Sequence, residues 1–558
     1  MGLVALLLFA SFAVLHGLRA FDEMRRNELF DKFGSIETYT VCTDLTFAGF
    51  SIITHELQIE DECPVMVGEA RYQRTMNETG WNRLQFIAKD ESPAWAQAYA
   101  AGYIEGLVSR QLIMDHSYNL FDGYCKNAEK YCDRLFDFFV KNLAYIRKKI
   151  DRNGDDKYWR QVNVTIKMFE GLVEGMDGRK PGVTDYELVR HPAFIIQWAA
   201  EIWDLEMKFN RPQELRTRRG HCSAIVRVME DLTGLVVAHT TWDSLASMLR
   251  VMRRYHFNMD DLPGQFYAYS GYPGTLASVD DFYINGASLV ITETTNEMHS
   301  KHLLKHITPA SVPMWIRSQV ATRMAGTASD WVEYAKRENN GCYNNQWLIV
   351  DYKKFTPYRE LEDGLFTIAE QIPGKWVSKE MTAYLREKQY FASYNRPYFT
   401  SVDELSGTRK MREKYGDFYS YENTTRAKMF ARDWKKAVTP LRVGDLVRTN
   451  HYKTDPLSEC KDCTPVQNPC LAIAARCDLL PANASSPIPD MIMRDMVATD
   501  AKFTFYDMIR DLVFAAVSGP PRYFTPTFSW TNSTLKDTVR HRSQPETFNF
   551  KFYTNNVI

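Results

Sequence analysis

The order of segments along this chain predicts an α+β fold in which sheets are covered by helical layers. Short strand-like runs come first, helical stretches follow, and strands return after residue 220. That order disfavours the strict alternation of a doubly wound parallel sheet. Residues 222–241 read as a β-hairpin, and no internal repeat at solenoid spacing is visible. With 558 residues the chain suits two to four average domains or one large composite domain.

Taken in order, residues 3–15 form an apolar run too short to span a bilayer, and Leu18-Arg19-Ala20 follows as a cleavage site. Residues 1–20 thus read as a secretory signal peptide, although no Lys or Arg precedes the apolar run. Residues 21–205 form a helical-rich N-terminal portion. Within it Thr38–Cys42 and Leu84–Ala88 are strand candidates, and helical periodicity covers Ala94–Ala144, Lys157–Met176 and His191–Met207. Gly102 interrupts the first helical pattern. Residues 206–221 carry Arg211, Arg216, Arg218 and Arg219 with breakers Pro212 and Gly220, and read as an exposed basic linker, a preferred place for proteolytic nicking. An uncut solvated loop is the competing reading. The remaining portion, 222–558, opens on an alternating run. Ala224, Val226 and Val228 fall on one face and Ser223, Ile225 and Arg227 on the other, the period of a half-buried strand. Met229–Gly234 is turn material and Leu235–Thr241 a second strand. Further strands are expected at Phe266–Tyr269, Asp281–Ile284, Ser288–Thr295 and Gln346–Asp351, a helical region over Pro313–Asn339, and regular elements at Leu365–Gln371 and Phe503–Val517.

The net charge of −1 gives no reason to invoke nucleic acid, and no stretch beyond the N-terminal run is long enough for a transmembrane span. Five N-x-S/T sequons, at Asn77, Asn163, Asn423, Asn483 and Asn532, agree with secretion. In an oxidising compartment most of the ten cysteines should pair. Cys460, Cys463, Cys470 and Cys477 could hold zinc, but their loop context in a secreted chain favours disulfides, whose connectivity stays open. If Cys222 is reactive, nine cysteines remain, so at least one other thiol stays free. The chain lacks a nucleophile elbow, a P-loop, H-E-x-x-H and a dinucleotide fingerprint. His302 and His306 lack a convincing acidic third ligand, so neither a metal nor a cofactor is expected.

Cys222 has the most informative surroundings. A hairpin returns its second strand to the start of the first, so His239, Thr241 and Trp242 could line a pocket around the Cys222 sulfur. Cleavage before Cys222 would give one residue both a thiol, of ordinary pKa about 8.5, and an α-amine of about 7.7–8.0. The amine could then serve as the thiol's base, as with N-terminal threonine nucleophiles.

Cys222-Ser-Ala, His239-Thr-Thr-Trp-Asp-Ser244, Gly271-Tyr-Pro-Gly-Thr275, Asp280-Asp-Phe-Tyr283, Thr292-Glu-Thr-Thr295, Tyr343-Asn-Asn-Gln-Trp347, Val350-Asp-Tyr-Lys353, Glu370-Gln-Ile-Pro-Gly374 and Ala392-Ser-Tyr-Asn-Arg-Pro-Tyr398 together resemble the phospholipase B-like family. The likeness runs in order from Cys222 to about residue 480 and is looser upstream. It implies an N-terminal-nucleophile hydrolase with a four-layer αββα sandwich of two antiparallel sheets. It further implies Cys222 as nucleophile and His221–Cys222 as the bond the precursor cuts. His239, Trp242 and Thr295 would line the site, and Asn395 would donate to an oxyanion, with adjacent Arg396 as the alternative polar group. Arg426 would sit near the nucleophile and lower the thiol pKa. The implied activity is cleavage of acyl ester or amide bonds through a thioester acyl-enzyme, with phospholipids or related acyl lipids as substrate. The implied mature form is two associated chains in the secretory pathway, lysosomal or extracellular, with a homodimer left open. The alternative is a non-enzymatic glycoprotein that uses the same scaffold to bind lipid or a partner.

Overall fold

The computed structural model describes residues 34–556 except 55–62, 90–91, 179–183, 218–219, 260 and 490. The expected leader over 1–20, and Arg218 and Arg219 of the basic segment, lie outside the described residues.

Two sheets dominate. An eleven-stranded sheet runs in spatial order Lys375–Glu380, Phe366–Ile372, Asn345–Asp351, Leu289–Thr295, Phe282–Asn285, Phe266–Gly271, Val251–His256, Asn82–Ala88, Val65–Gln73, Ile36–Thr43 and Phe50–Thr54. Its neighbours are antiparallel except Asn82–Ala88 beside Val251–His256. At that junction the strands from before the long helices join those from after the basic segment, so the N-terminal portion and the rest share one sheet. The seven-stranded sheet is centred on His221–Val228 and Leu235–Ser244, with Tyr390–Ser393 outside the first and Asp500–Phe505 and Met496–Ala498 on the second.

Three apolar clusters give the layering. Ala224, Val226 and Val237 of the smaller sheet meet Ala268, Ile284, Val290 and Leu348 of the larger one. On the far side of the larger sheet, Tyr255, Tyr269 and Ile291 pack under the helices Ala94–Phe121, Glu129–Arg152, Lys157–Asp177 and Met314–Met324. On the far side of the smaller sheet, Ile225, Val236 and Phe503 pack under Thr425–Asp433 and Pro440–Leu446. The molecule is therefore a mixed α+β sandwich with helices outside both sheets.

The Cys222 strand departs from the half-buried expectation, because all eight of its residues are buried. Its polar face is satisfied inside the protein. Ser223 Oγ donates to the Ile473 carbonyl at 2.8 Å, and Arg227 Nη1 donates to the Trp434 and Ala437 carbonyls. Besides 94–144, which holds the two helices Ala94–Phe121 and Glu129–Arg152, two expected helical regions are each broken in two. Residues 191–207 hold Pro192–Gln197 and Ile202–Lys208, and residues 313–339 hold Met314–Met324 and Ala328–Lys336. The second break lies beside Gly326, where Thr327 and Asp330 form a capping box that starts a new helix. The basic segment is less exposed than expected. Buried Glu206 accepts from Arg211 Nη1 at 2.8 Å and from Thr217 N at 2.9 Å, so the chain between them is folded back on itself.

Disulfides join Cys42–Cys63, Cys125–Cys132, Cys460–Cys463 and Cys470–Cys477. The last two bridges use every sulfur that a zinc site there would have needed. Cys222 and Cys342 remain as free, buried thiols. Asn77, Asn423, Asn483 and Asn532 are exposed, whereas Asn163 is half-buried along Lys157–Asp177. No helix among the described residues is long and apolar enough to cross a membrane.

Candidate active site

The hairpin positions Cys222 as its sequence suggests. Cys222 pairs with Thr241 and His221 with Trp242, while His239 lies two pairs further in, opposite Ala224. Alternation along the strand puts His239 and Thr241 on the face that carries Cys222. One His239 ring nitrogen, the Cys222 sulfur and an Asp281 oxygen lie within 4.8 Å of one another.

A neighbouring strand brings the next group. Ser393 pairs with Ala224, so the chain that follows passes beside the start of the Cys222 strand. Asn395 then turns in the left-handed region, φ 64°, which asparagine tolerates better than most residues. Its Oδ1 accepts from the Cys222 backbone N–H at 3.0 Å, and its Nδ2 donates to the Thr295 carbonyl at 2.7 Å. Its own N–H donates to Thr294 Oγ1 at 3.1 Å, which ties this turn to the larger sheet. The amide thus faces the Cys222 nitrogen with its oxygen, and its donor end is already engaged.

Arg426 enters from the first turn of Thr425–Asp433. It donates to the Cys222 carbonyl, to Asn395 Oδ1 at 2.9 Å and to the Tyr394 carbonyl at 2.6 Å, and its guanidinium lies 4.5 Å from the centre of the Trp242 ring. Trp242 Nε1 in turn donates to the Ile473 carbonyl at 3.2 Å. Burial and Arg396 push the Arg426 guanidinium down to about 9. Arg426 and Cys222 attract electrostatically, as expected, but other groups set the net direction: burial, then Glu293 and Asp281, push the Cys222 thiol well up against the pull of the Trp242 backbone and Lys502.

The acidic pair was not singled out from the sequence. Tyr343 Oη lies 2.5 Å from Asp281 Oδ1 and 2.7 Å from Glu293 Oε1. Burial and Glu293 push Asp281 well above the usual carboxylate range, and burial lifts Glu293 to about 7. Lys502 Nζ bonds Thr241 Oγ1 at 2.8 Å and Asp500 Oδ2 at 2.6 Å. Burial, then Lys502, push His239 well down, so its imidazole is neutral and has a lone pair to offer. Asp281 and Glu293 sit inside Asp280-Asp-Phe-Tyr283 and Thr292-Glu-Thr-Thr295, two of the strings that carry the resemblance, which was the available signal for them. Cys222, His239 and Asp281 could close on a small cation, but the Lys502 ammonium beside them opposes that use. A thiol beside a neutral imidazole is the better chemical reading of the same atoms, with burial weakening both the acid and the base.

On the other side of the Cys222 peptide nitrogen, His221 Nε2 lies 2.8 Å from Glu297 Oε1, which Arg396 Nη1 also approaches at 3.4 Å. Burial alone would raise Glu297, but His221, Arg396 and His299 hold it well below the usual range. Arg396 thus orders the His221 side of the bond and Asn395 the Cys222 side. A cavity of about 470 Å³ reaches Cys222, Thr241, Trp242 and Thr295, with Trp203, Val279 and Leu535 among its apolar walls. Arg216, Thr217 and Gly220 of the basic segment also line it.

The phospholipase B family model matches residues 68–555. "Putative phospholipase B-like 1" of Caenorhabditis elegans is 39% identical over 527 residues, covering 92% of this chain and 91% of that protein. "Putative phospholipase B-like 2" of Homo sapiens is 35% identical over 509 residues, covering 88% of this chain and 86% of that protein. "Phospholipase B-like protein B" of Dictyostelium discoideum is 30% identical, covering 87% and 84% respectively.

Proposed function

The chain belongs to the phospholipase B family, and from that premise we propose that it is a self-processing N-terminal-cysteine hydrolase of acyl lipids. The observation that carries the reading is an unbridged thiol lining a cavity, with its own N–H held by Asn395 and its own carbonyl held by Arg426.

In the precursor His239 takes the Cys222 thiol proton, and the sulfur adds to the His221 carbonyl carbon. The C–N bond breaks, the Cys222 nitrogen takes a proton, and a thioester links His221 to the sulfur. Water then hydrolyses that thioester, leaving a His221 carboxylate and a Cys222 that bears both thiol and amine. In the mature protein the amine, held by Asn395 Oδ1, accepts the thiol proton. The thiolate attacks the acyl carbonyl, the alcohol or amine leaves with the proton, and water releases the fatty acid from the acyl-enzyme. For Asn395 Nδ2 to meet the oxyanion it must leave the Thr295 carbonyl, a change that release of the new chain end would permit. Loss of the basic segment would also remove Arg216, Thr217 and Gly220 from the cavity wall and widen it for an acyl chain. Exposed sequons and four disulfides support a secreted or lysosomal setting with N- and C-terminal chains that stay associated through the shared sheet.

Mass spectrometry after incubation at acid pH tests this directly. Wild type should yield a chain starting with a free amine at Cys222 and should release fatty acid from a phospholipid. Cys222→Ala should stay whole and inactive. A second reading, a lipid-binding protein that is never cut, is favoured by the 3% exposure of Cys222. An intact wild-type chain without activity would establish it in place of the hydrolase.

A further inference from the structure

The residue before Cys222 is held by its side chain. His221 is buried, with its ring centre 5.9 Å from that of Trp242. Its Nε2 lies 2.8 Å from Glu297 Oε1. The Glu297 carboxyl is held ionised, so the imidazole nitrogen is the donor in that bond.

Glu297 is fixed from two further sides. Arg396 Nη1 approaches the same oxygen at 3.4 Å, and His299 Nε2 lies 3.3 Å from the other. Arg396 is buried in its turn. Its Nε donates to the Phe418 carbonyl at 2.8 Å, its Nη1 to the Asn395 carbonyl at 2.7 Å, and its guanidinium lies 4.5 Å from the centre of the Tyr419 ring. The turn that holds the Cys222 N–H through Asn395 thus also holds the carboxylate that meets His221. One residue upstream, Gly220 threads a slot in which a Cβ would lie 2.9 Å from the Trp242 carbonyl oxygen and 3.1 Å from the Trp203 ring.

Attack by sulfur turns the His221 carbonyl carbon from planar to tetrahedral and removes the amide character of the Cys222 nitrogen. The peptide group must rotate out of its strand geometry, and the contacts it makes itself change as it does so. The Glu297 contact is made through the His221 side chain, and it can persist while the carbonyl turns. Such an anchor holds the carbonyl near the sulfur and lowers the entropy cost of reaching the reactive geometry.

We propose that Glu297 is a positioning residue for self-cleavage, acting through the His221 imidazole. The inference rests on the self-processing reading above and adds a requirement to it: residue 221 must present a hydrogen-bond donor at the reach of histidine Nε2.

Pulse-labelling of the full chain in secreting cells, read as the fraction cut before Cys222, tests the proposal. His221→Ala should slow cleavage by about tenfold or more, because the anchor is gone. His221→Gln should recover most of that loss, since its amide nitrogen reaches about as far as histidine Nε2 and donates to the same carboxylate. Glu297→Gln should slow cleavage of the otherwise wild-type chain by about fivefold or more, because the bond to His221 loses its charge. In His221→Ala the same change should alter the rate by less than about twofold, because the ring that Glu297 anchors is absent. A loss of equal size in both backgrounds would assign the effect of Glu297 to its contact with Arg396 and overturn the proposal. Wild-type cleavage by His221→Ala would overturn it too. Should Glu297→Gln fail to be secreted, the two His221 variants carry the test: recovery in His221→Gln supports the anchor, and equal loss in both overturns it. Cys222→Ala supplies the uncut reference. A wild type that also stays whole would remove the self-processing reading and this inference with it, whereas a cut wild type beside an equally cut His221→Ala would remove the inference alone.

Discussion

Tyr343 has one hydroxyl proton and two carboxyl oxygens within hydrogen-bond distance, at Asp281 and Glu293. Both contacts can be hydrogen bonds only if one carboxyl is protonated and donates to the tyrosine oxygen. The charge that reaches the Cys222 sulfur from this pair is therefore smaller than two carboxylates would give. In the proposed self-cleavage, His239 is the neutral group beside the thiol able to take its proton before any amine is freed. His239→Ala should therefore slow self-cleavage by about a hundredfold or more, yet slow turnover by the small cleaved fraction much less. Intact-mass time courses set beside kcat per cleaved chain would separate the two effects, and equal losses would remove His239 from the first step. Asn395→Asp keeps an acceptor for the Cys222 nitrogen but loses the donor end, so kcat should fall about a hundredfold with KM little changed. Steady-state kinetics on cleaved protein would measure that split. The pairing of Cys222 with Thr241 was legible from hairpin arithmetic. Asn395 and Arg426, 173 and 204 residues from Cys222, could be reached only through the family resemblance. Glu293 and Lys502 were hidden because a charge within a strand usually marks a solvated face, and here both faces are buried.

The helices Ala94–Phe121 and Lys157–Asp177 show why one sequence signal pointed the wrong way. Gly102 reads as an interruption, yet the helix runs through it without a break. The crossing explains the residue. A Cβ at Gly102 would lie 1.9 Å from the Met168 carbonyl oxygen, and one at Gly106 2.1 Å from that of Leu172. Gly171 and Gly175 meet the Tyr99 and Tyr103 carbonyls equally closely from the other side. These backbones pack face to face, and a partner 70 residues away cannot be seen in the periodicity of one helix. Gly106→Ala should accordingly destabilise the protein although alanine is the better helix former. The gain of about 1 kcal/mol in propensity is outweighed by overpacking of about 1–3 kcal/mol or more, because the obstacle is backbone that cannot rotate away. Thermal unfolding should show a lower midpoint for Gly106→Ala, whereas Gly154→Ala, with nothing nearer than 4.0 Å, should not show that loss. The basic segment carries a similar lesson. Its composition is that of a solvated loop, but buried Glu206 gathers Arg211 and Thr217 around one carboxylate.

For the whole molecule, the sandwich buries carboxyl groups in several places at once, and this sets how stability responds to pH. Burial raises Glu201, Glu293 and Glu370 each to about 7 from an ordinary 4.5, and Asp243 to about 6 from 3.8. For each, the unfolded chain releases a proton before the folded one does. Their stabilisation is complete below the unfolded value and is lost as pH rises through the folded value. The buried histidines act in the opposite direction over another range. Burial lowers His116 to about 3 from 6.5, so its contribution is present above 6.5 and is lost as pH falls from there. The two trends oppose each other between about 4.5 and 6.5, whereas above 6.5 the carboxyls act without that opposition. Unfolding free energy should therefore drop between pH 6.5 and pH 8, by roughly 0.8 kcal/mol for each glutamate and about 2.4 kcal/mol for the three together. Glu201→Gln should remove about a third of that drop. Asn340 Nδ2 and the Trp315 N–H both donate to this carboxyl, so Glu201→Gln turns its amide nitrogen toward a donor and lowers stability at both pH values, which leaves the change between them as the readout. Urea midpoints at the two pH values, for wild type and Glu201→Gln, would measure both slopes. A midpoint that does not move with pH in wild type would mean these carboxylates are ionised in the fold, and a preference for acid over mild alkali would then have no basis in the core.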